Sequence, residues 1–161
     1  MEIVIEKGGI EYANDCEEAL LSSEIGGRYF SGKGSASQLV KDGLESGNLF
    51  IVKTNDDFAG FFWYIPNGVF RIFPLLHMMI IRETYRSRGI GTKVLEFIEK
   101  AVDKRKIFLL VADFNTNAKR FYEENGYKQV GEIPNLYRNG ITEYLMLKET
   151  EQGEINGPYR Q

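Results

Sequence analysis

The stretch Leu75-Leu76-His77-Met78-Met79-Ile80-Ile81 and, after it, Arg86-Ser87-Arg88-Gly89-Ile90-Gly91-Thr92-Lys93 decide how this 161-residue chain folds. The first seven residues are almost continuously apolar, as expected of a strand buried on both faces. Beyond the two glycines, Ile90, Val94, Leu95, Ile98, Ala101 and Val102 recur at helical spacing and mark one face of a long helix. Its last turn, Asp103-Lys104-Arg105-Lys106, is mostly basic and suits a helix C-terminus. A second apolar run at 107–112 completes a strand-helix-strand unit. Such a unit closes through a right-handed crossover, which makes the strands parallel neighbours.

Working outward, residues 2–6 read as a first strand. Cys16, Ala19, Leu20 and Ser23 give helical spacing over 14–24, a helix that Gly26-Gly27 are expected to end. A second helix is predicted over 35–46, capped by Ser35 or Ser37 and stopped by Gly47. Strands follow at 48–53 and 58–65 about a turn at Asn55-Asp56-Asp57, and Pro66-Asn67-Gly68 reads as another turn. A helix from Asn115 to Asn125 stops at Gly126. The last strands, 127–133 and 142–148, are joined through Pro134 and Asn139-Gly140. Because the remaining strands have short connections, the sheet is predicted to be mixed within an α/β chain. One domain over 1–149 is expected, and the polar stretch 150–161 predicts a disordered tail.

Composition narrows the function. A net charge of −3 argues against nucleic acid as the partner, since phosphate backbones call for a basic face. The single cysteine, Cys16, excludes an internal disulfide and a multi-cysteine zinc site. The single histidine, His77, excludes a histidine-rich one, so no metal is expected. No signal-peptide core and no membrane-spanning run is read, which makes the cytoplasm the expected location and a membrane an unexpected partner.

The turn carries the chemistry. Glycines at 89 and 91 clear side chains from a backbone that must turn tightly and let a ligand approach its N–H groups. The opening turn of the helix adds unpaired donors and the positive end of the dipole. With Arg86, Arg88 and Lys93 beside it, a diphosphate is the natural guest. Neither familiar phosphate loop fits. Gly91 is followed by Thr92-Lys93 rather than Lys-Ser/Thr, and the third glycine of a dinucleotide fingerprint is replaced by Val94. The competing view is an ordinary strand-to-helix turn with solvated arginines.

Arg86-x-x-Gly89-x-Gly91, placed five residues after Ile81, resembles the acyl-CoA-binding motif of the GNAT N-acetyltransferase superfamily. Asn115-x-x-Ala118-x-x-Phe121-Tyr122-Glu123-Glu124-x-Gly126-Tyr127 is similar to the family's downstream signature and lies at the expected separation. The resemblance covers roughly residues 75–130. It implies a central sheet of six to seven mostly antiparallel strands with one splayed parallel pair, flanked by about four helices. It also implies acetyl-CoA as co-substrate, an amine acceptor attacking the thioester directly in a ternary complex, and leaves a homodimer open.

The same resemblance assigns residues. The backbone of Met79, Ile80 and Ile81 would pair with the pantetheine arm. Arg86, Ser87, Arg88, Gly89, Ile90, Gly91 and Thr92 would hold the diphosphate. Asn115 would either reach the cofactor or simply cap its helix. Tyr122 would protonate the leaving thiolate; the bland view is a tyrosine half-buried against the sheet. Many family members carry a glutamate on the strand, whereas Leu75 and Leu76 stand here. That shifts the base to His77, to water, or to Glu83 or Glu24, with a structural histidine as the alternative. A base matters most for a lysine-like amine, whose lone pair costs roughly 4.6 kcal/mol to bare at pH 7, against about 1 kcal/mol for an α-amino group. Residues 26–30, Trp63 and the segment 137–144 are expected to frame the acceptor. A non-catalytic acyl-CoA sensor and a phosphate-binding module unrelated to coenzyme A are the alternative functions.

Overall fold

The computed structural model describes residues 1–103 and 105–151. Its strands are β1 (Ile3–Lys7), β2 (Leu49–Thr54), β3 (Asp57–Val69), β4 (Phe73–Ile81), β5 (Lys106–Ala112), β6 (Lys128–Pro134) and β7 (Thr142–Glu149). The α-helices are α1 (Ala13–Leu21), α2 (Glu24–Tyr29), α3 (Ser35–Ser46), α4 (Ile90–Ala101) and α5 (Thr116–Glu124). The seven strands form one mixed sheet in the order β1-β2-β3-β4-β5-β7-β6. β4 runs parallel to β5, as the crossover through α4 requires. The β1–β2, β2–β3, β5–β7 and β6–β7 pairs are antiparallel.

Contacts sort the chain into two compact units: Met1–Tyr64 with Met78–Val94, and Ile65–His77 with the chain from Leu95 on. In the first, α1 and α3 close one face of the sheet. Cys16, Leu20, Val40, Leu49, Ile51, Phe61 and Ile80 are buried together there, and each large side chain contributes about 1.5–3 kcal/mol by leaving water. Burial pushes the Cys16 thiol up to about 12, so at neutral pH it is no nucleophile. On other side chains of β2 and β3, Phe50 stacks on Phe62 and Tyr64 at 5.4 and 5.8 Å. Arg82, just past β4, donates its amide to the Ala59 carbonyl at 2.8 Å and lies 4.7 Å from the centre of the Phe58 ring. It also reaches Asp15 and Glu18 of α1 at 3.5 and 3.6 Å, half-exposed pairs each worth under about 1 kcal/mol.

In the second unit, β5 pairs with β7 along its whole length, from Lys106↔Glu149 to Ala112↔Glu143. One face of β7 carries Tyr144, Met146 and Lys148. Lys119 of α5 sits 4.8 Å from the Tyr144 ring centre, and Glu99 of α4 pairs with Lys148, so both helices cover that face.

Four local expectations fail. The helix read as ending in a basic turn at 103–106 stops at Ala101, and Lys106 already belongs to β5. The helix predicted over 14–24 stops at Leu21. The Ser23 hydroxyl then donates to Leu20 O at 2.6 Å and accepts from Gly26 N at 3.0 Å, starting α2. Gly26 and Gly27 therefore lie inside a helix and do not end one. A Cβ on Gly26 would overlap the Leu20 carbonyl oxygen, which is why the tight junction takes glycine there. Pro66-Asn67-Gly68 lies within β3, where a Cβ at Gly68 would stand 2.8 Å from Leu75 Cβ; the reversal comes later, at Phe70-Arg71 (φ 54° and 63°). At α3, the N-cap is Gly34 at φ 79° with no side-chain cap, and Ser35 Oγ instead donates to Gly32 O. Of the polar tail read at 150–161, Thr150 exchanges bonds with Arg105, Glu151 is exposed, and residues 152–161 lie outside the described residues.

Candidate active site

In the first unit, β4 ends at Ile81 and the chain turns through a 3-10 segment, Glu83–Tyr85, before α4 opens at Ile90. Two left-handed residues shape the turn: Gly89 at φ 79°, which the sequence suggests, and Ser87 at φ 61°, which it does not. Nothing lies within 4 Å of where a Gly89 Cβ would be, so this stretch of backbone is open. At the start of α4, Lys93 N donates to Gly89 O at 3.2 Å. The amides of Ile90 and Gly91 precede that bond, in the opening turn that a helix does not satisfy with its own carbonyls. Ile90 is 2% exposed and anchors the helix mouth, while Arg86, Ser87, Arg88 and Gly89 are exposed.

The charges around the mouth are already partly engaged. Arg86 Nε donates to the Ile81 carbonyl at 3.0 Å and so ties the turn to the strand end. Arg88 lies 5.8 Å from the Tyr85 ring centre. Behind the turn, Ile80 packs into the core under α1 and α3, and Met79 and Ile81 are half-buried. The β4–β5 register among the described residues takes in Leu75↔Phe108 and Leu76↔Leu109. Met79, Ile80 and Ile81 fall outside it.

The second unit holds the other predicted residues. Asn115 caps α5: its Oδ1 accepts from Ala118 N at 3.4 Å, so the capping role is occupied by a long bond. Tyr122 is 9% exposed, its ring edge-on to Phe121 at 5.3 Å and to Tyr127 at 5.7 Å. Burial pushes its phenol above the ordinary value of 10, which keeps the proton on oxygen. His77 is exposed on β4, yet nearby atoms desolvate it enough to draw its pKa below 6.5; at pH 7 the ring is neutral. Of the residues expected around an acceptor, Trp63 packs against the α1–α3 core of the first unit. Glu24 pairs with Arg28 in an exposed (i, i+4) contact at 3.1 Å.

An open groove of about 650 Å³ lies beside α5, lined by residues including Asp113, Lys119, Arg120, Glu123 and Tyr144. Its charges are of both signs, and Lys119 already reaches Glu123 at 4.0 Å. Among the described residues no group of three or more His, Cys, Asp or Glu could hold a metal, and no helix is long and apolar enough to cross a membrane.

Residues 19–127 match the model of the acetyltransferase (GNAT) family, a span that includes both β4–turn–α4 and α5. The chain belongs to the GNAT family. It is similar in structure to a GNAT-family acetyltransferase from Bacillus cereus ATCC 10987, with a TM-score of 0.77 and 20% identity over 94% of this chain and all of that one. An aminoglycoside 6′-N-acetyltransferase complexed with coenzyme A superposes with a TM-score of 0.71 at 19% identity, covering 91% and 96% of the two chains. A protein from Pyrococcus horikoshii OT3 reaches 27% identity at a TM-score of 0.71, over 93% and 99%. No curated protein sequence matches the chain significantly. Members of the GNAT family bind acetyl-CoA and transfer its acetyl group, so the chain is an acyltransferase by family.

One residue that sequence reasoning passed over stands out in the second unit. Glu143 is 4% exposed on β7. The signal was available: positions 143, 145 and 147 share a face, and the latter two are leucines.

Proposed function

We propose that this GNAT chain holds acetyl-CoA with its diphosphate on the turn 86–92 and passes the acetyl group to a primary amine of a small molecule, peptide or protein. The observation that carries the reading is the open, left-handed turn at Ser87–Gly89, which ends on the first amides of α4 beside Arg86, Arg88 and Lys93. Backbone donors at a helix mouth favour a doubly charged group without needing a particular side chain. Met79, Ile80 and Ile81 continue β4 beyond its register with β5, and their backbone is assigned to the pantetheine amides. Asn115 supports the cofactor in addition to capping α5.

Tyr122 is assigned to protonate the departing thiolate. Its raised pKa has two consequences of opposite sign. The proton is present throughout the working range, but its transfer to a thiolate of pKa roughly 8.5 is less favourable than for a phenol in water. A thiolate forming in the same desolvated surroundings has its own pKa raised, which narrows the gap. His77, neutral at pH 7, is assigned to take the amine's proton directly or through water. The amine nitrogen then attacks the thioester carbonyl, the C–S bond breaks, and coenzyme A leaves as the thiol.

Acetyl-CoA at about 100 times its Kd should stabilise the fold by about 2.7 kcal/mol, raising Tm by about 5–10 °C. Thiol release should then appear with some member of a panel of polyamines, aminoglycosides, amino acids and peptides. Absence of any thermal shift would remove acetyl-CoA from the account. A shift with no thiol release from any amine would favour an acyl-CoA sensor.

A further inference from the structure

Arg82, the first residue beyond β4, stands at the root of the turn in the first unit. Its main chain joins strand to turn. The amide donates to the Ala59 carbonyl of β3 at 2.8 Å, and the carbonyl accepts from Tyr85 N at 2.9 Å, which opens the 3-10 segment. Any residue but proline could make those two bonds. The side chain adds contacts that only arginine offers together. Nη1 donates to the Phe58 carbonyl at 3.4 Å, and the guanidinium lies 4.7 Å from the centre of the Phe58 ring. Nη2 lies 3.5 Å from Asp15 and 3.6 Å from Glu18, two carboxylates spaced three apart on α1.

As contributions to global stability these contacts are small. A half-exposed ion pair is worth under about 1 kcal/mol, and a cation over a ring at such a site about 0.5–1 kcal/mol. The buried core around Cys16, Leu20, Ile51 and Ile80 does not include Arg82. What the guanidinium does is join three elements at one point: β3 through Phe58, α1 through Asp15 and Glu18, and the junction between strand and turn through its own backbone.

The turn needs such an anchor. Its residues from Arg86 to Gly89 are exposed, and two of them hold left-handed backbone, Ser87 at φ 61° and Gly89 at φ 79°. Downstream, buried Ile90 fixes the helix mouth. Upstream, Arg82 holds the junction, and Arg86 returns to the strand through Nε and the Ile81 carbonyl at 3.0 Å. Backbone donors serve a diphosphate best when they already stand in the bound arrangement, because ordering a loop at binding costs about 1–2 kcal/mol of backbone entropy per residue.

We propose that Arg82 is a positioning residue for the cofactor turn: by tying the end of β4 to Phe58 and to the carboxylates of Asp15 and Glu18, it holds the amides at the mouth of α4 ready for a diphosphate. The inference rests on the reading that coenzyme A occupies this turn. It makes two carboxylates of α1, far from the turn in sequence, determinants of cofactor affinity that act through the arginine.

The test titrates coenzyme A into the native chain, Arg82→Gln, Arg82→Lys, the α1 variant Asp15→Asn/Glu18→Gln, and that variant combined with Arg82→Gln, with 15N spectra taken before and after. Arg82→Gln should weaken binding about tenfold while lowering Tm by at most about 5 °C. Before any ligand is added, it should shift or broaden the amides of Ser87, Gly89 and Ile90. Arg82→Lys keeps the charge beside α1 and should recover part of the affinity. The α1 variant should weaken binding about threefold, and the combined variant should bind no more weakly than Arg82→Gln alone. Native affinity in Arg82→Gln, undisturbed turn amides in its ligand-free spectrum, or losses that add in the combined variant would each overturn the inference. If Arg82→Gln does not fold, the α1 variant decides, and native affinity there overturns it. Failure of the native chain to bind coenzyme A sinks the reading of the turn and this inference with it, whereas native binding that Arg82→Gln leaves intact sinks only the role of Arg82.

Discussion

Replacing Gly60 with alanine is expected to cost about 2–4 kcal/mol and to lower the urea midpoint accordingly. A Cβ at this position on β3 would overlap the Ile80 carbonyl oxygen and come within 2.9 Å of Ile81 Cα and 3.0 Å of Ile81 Cδ1. Two of those three atoms are backbone or bound directly into it, so no side-chain rotation relieves the overlap. The end of β4 must move instead. Ile80 is anchored in the α1–α3 core, so the displacement disturbs packing as well as the strand pairing. The segment displaced is the one assigned to the pantetheine arm, and acetyl-CoA affinity should fall with stability. Gly27→Ala is the control. Nothing lies within 4 Å of the added carbon, and glycine to alanine inside α2 should be neutral or stabilising by up to about 1 kcal/mol. Equal stability of the two variants would show that the β3–β4 approach is looser than described.

Tyr122→Phe is expected to lower kcat about 100-fold while leaving acetyl-CoA affinity and Tm almost unchanged. The substitution keeps the ring that packs edge-on against Phe121 and Tyr127 and removes only the hydroxyl. Loss of packing therefore contributes little, and the rate effect reports the proton donor. The pH dependence carries the same information with a definite sign. An acid must be protonated to work, and burial raises this phenol above 10, so kcat in the native enzyme should show no decline from Tyr122 ionisation between pH 7 and 10. Unaltered kcat in Tyr122→Phe would remove the residue from the mechanism.

Most of the framework was legible before any coordinates, because its signals are local. The apolar run ending at Ile81, the helical spacing from Ile90, and glycines at 47, 126 and 140 all carry their own geometry; the last three adopt φ 77°, 93° and 85°. What was hidden depends on contacts between distant residues. Gly26 and Gly68 look like chain stops, yet each is small because another atom comes close: the Leu20 carbonyl in one case and Leu75 Cβ in the other. Ser87 gives no compositional hint of its left-handed backbone, since glycine is the usual marker. Within the candidate site, the residue types were readable but their commitments were not. Arg86 binds the Ile81 carbonyl and Arg88 lies against Tyr85, so the loop is partly braced before any ligand arrives. Glu143 shows the reverse case: its side chain type argues for exposure, and only the assembled sheet shows it buried.

The central claim concerns the main-chain donors where α4 begins, and a titration of 15N-labelled protein with coenzyme A addresses it most directly. Saturable shifts should be largest at the amides of Gly89, Ile90, Gly91 and Thr92. Coenzyme A binding that leaves those four resonances in place, or no binding at all, would contradict the account.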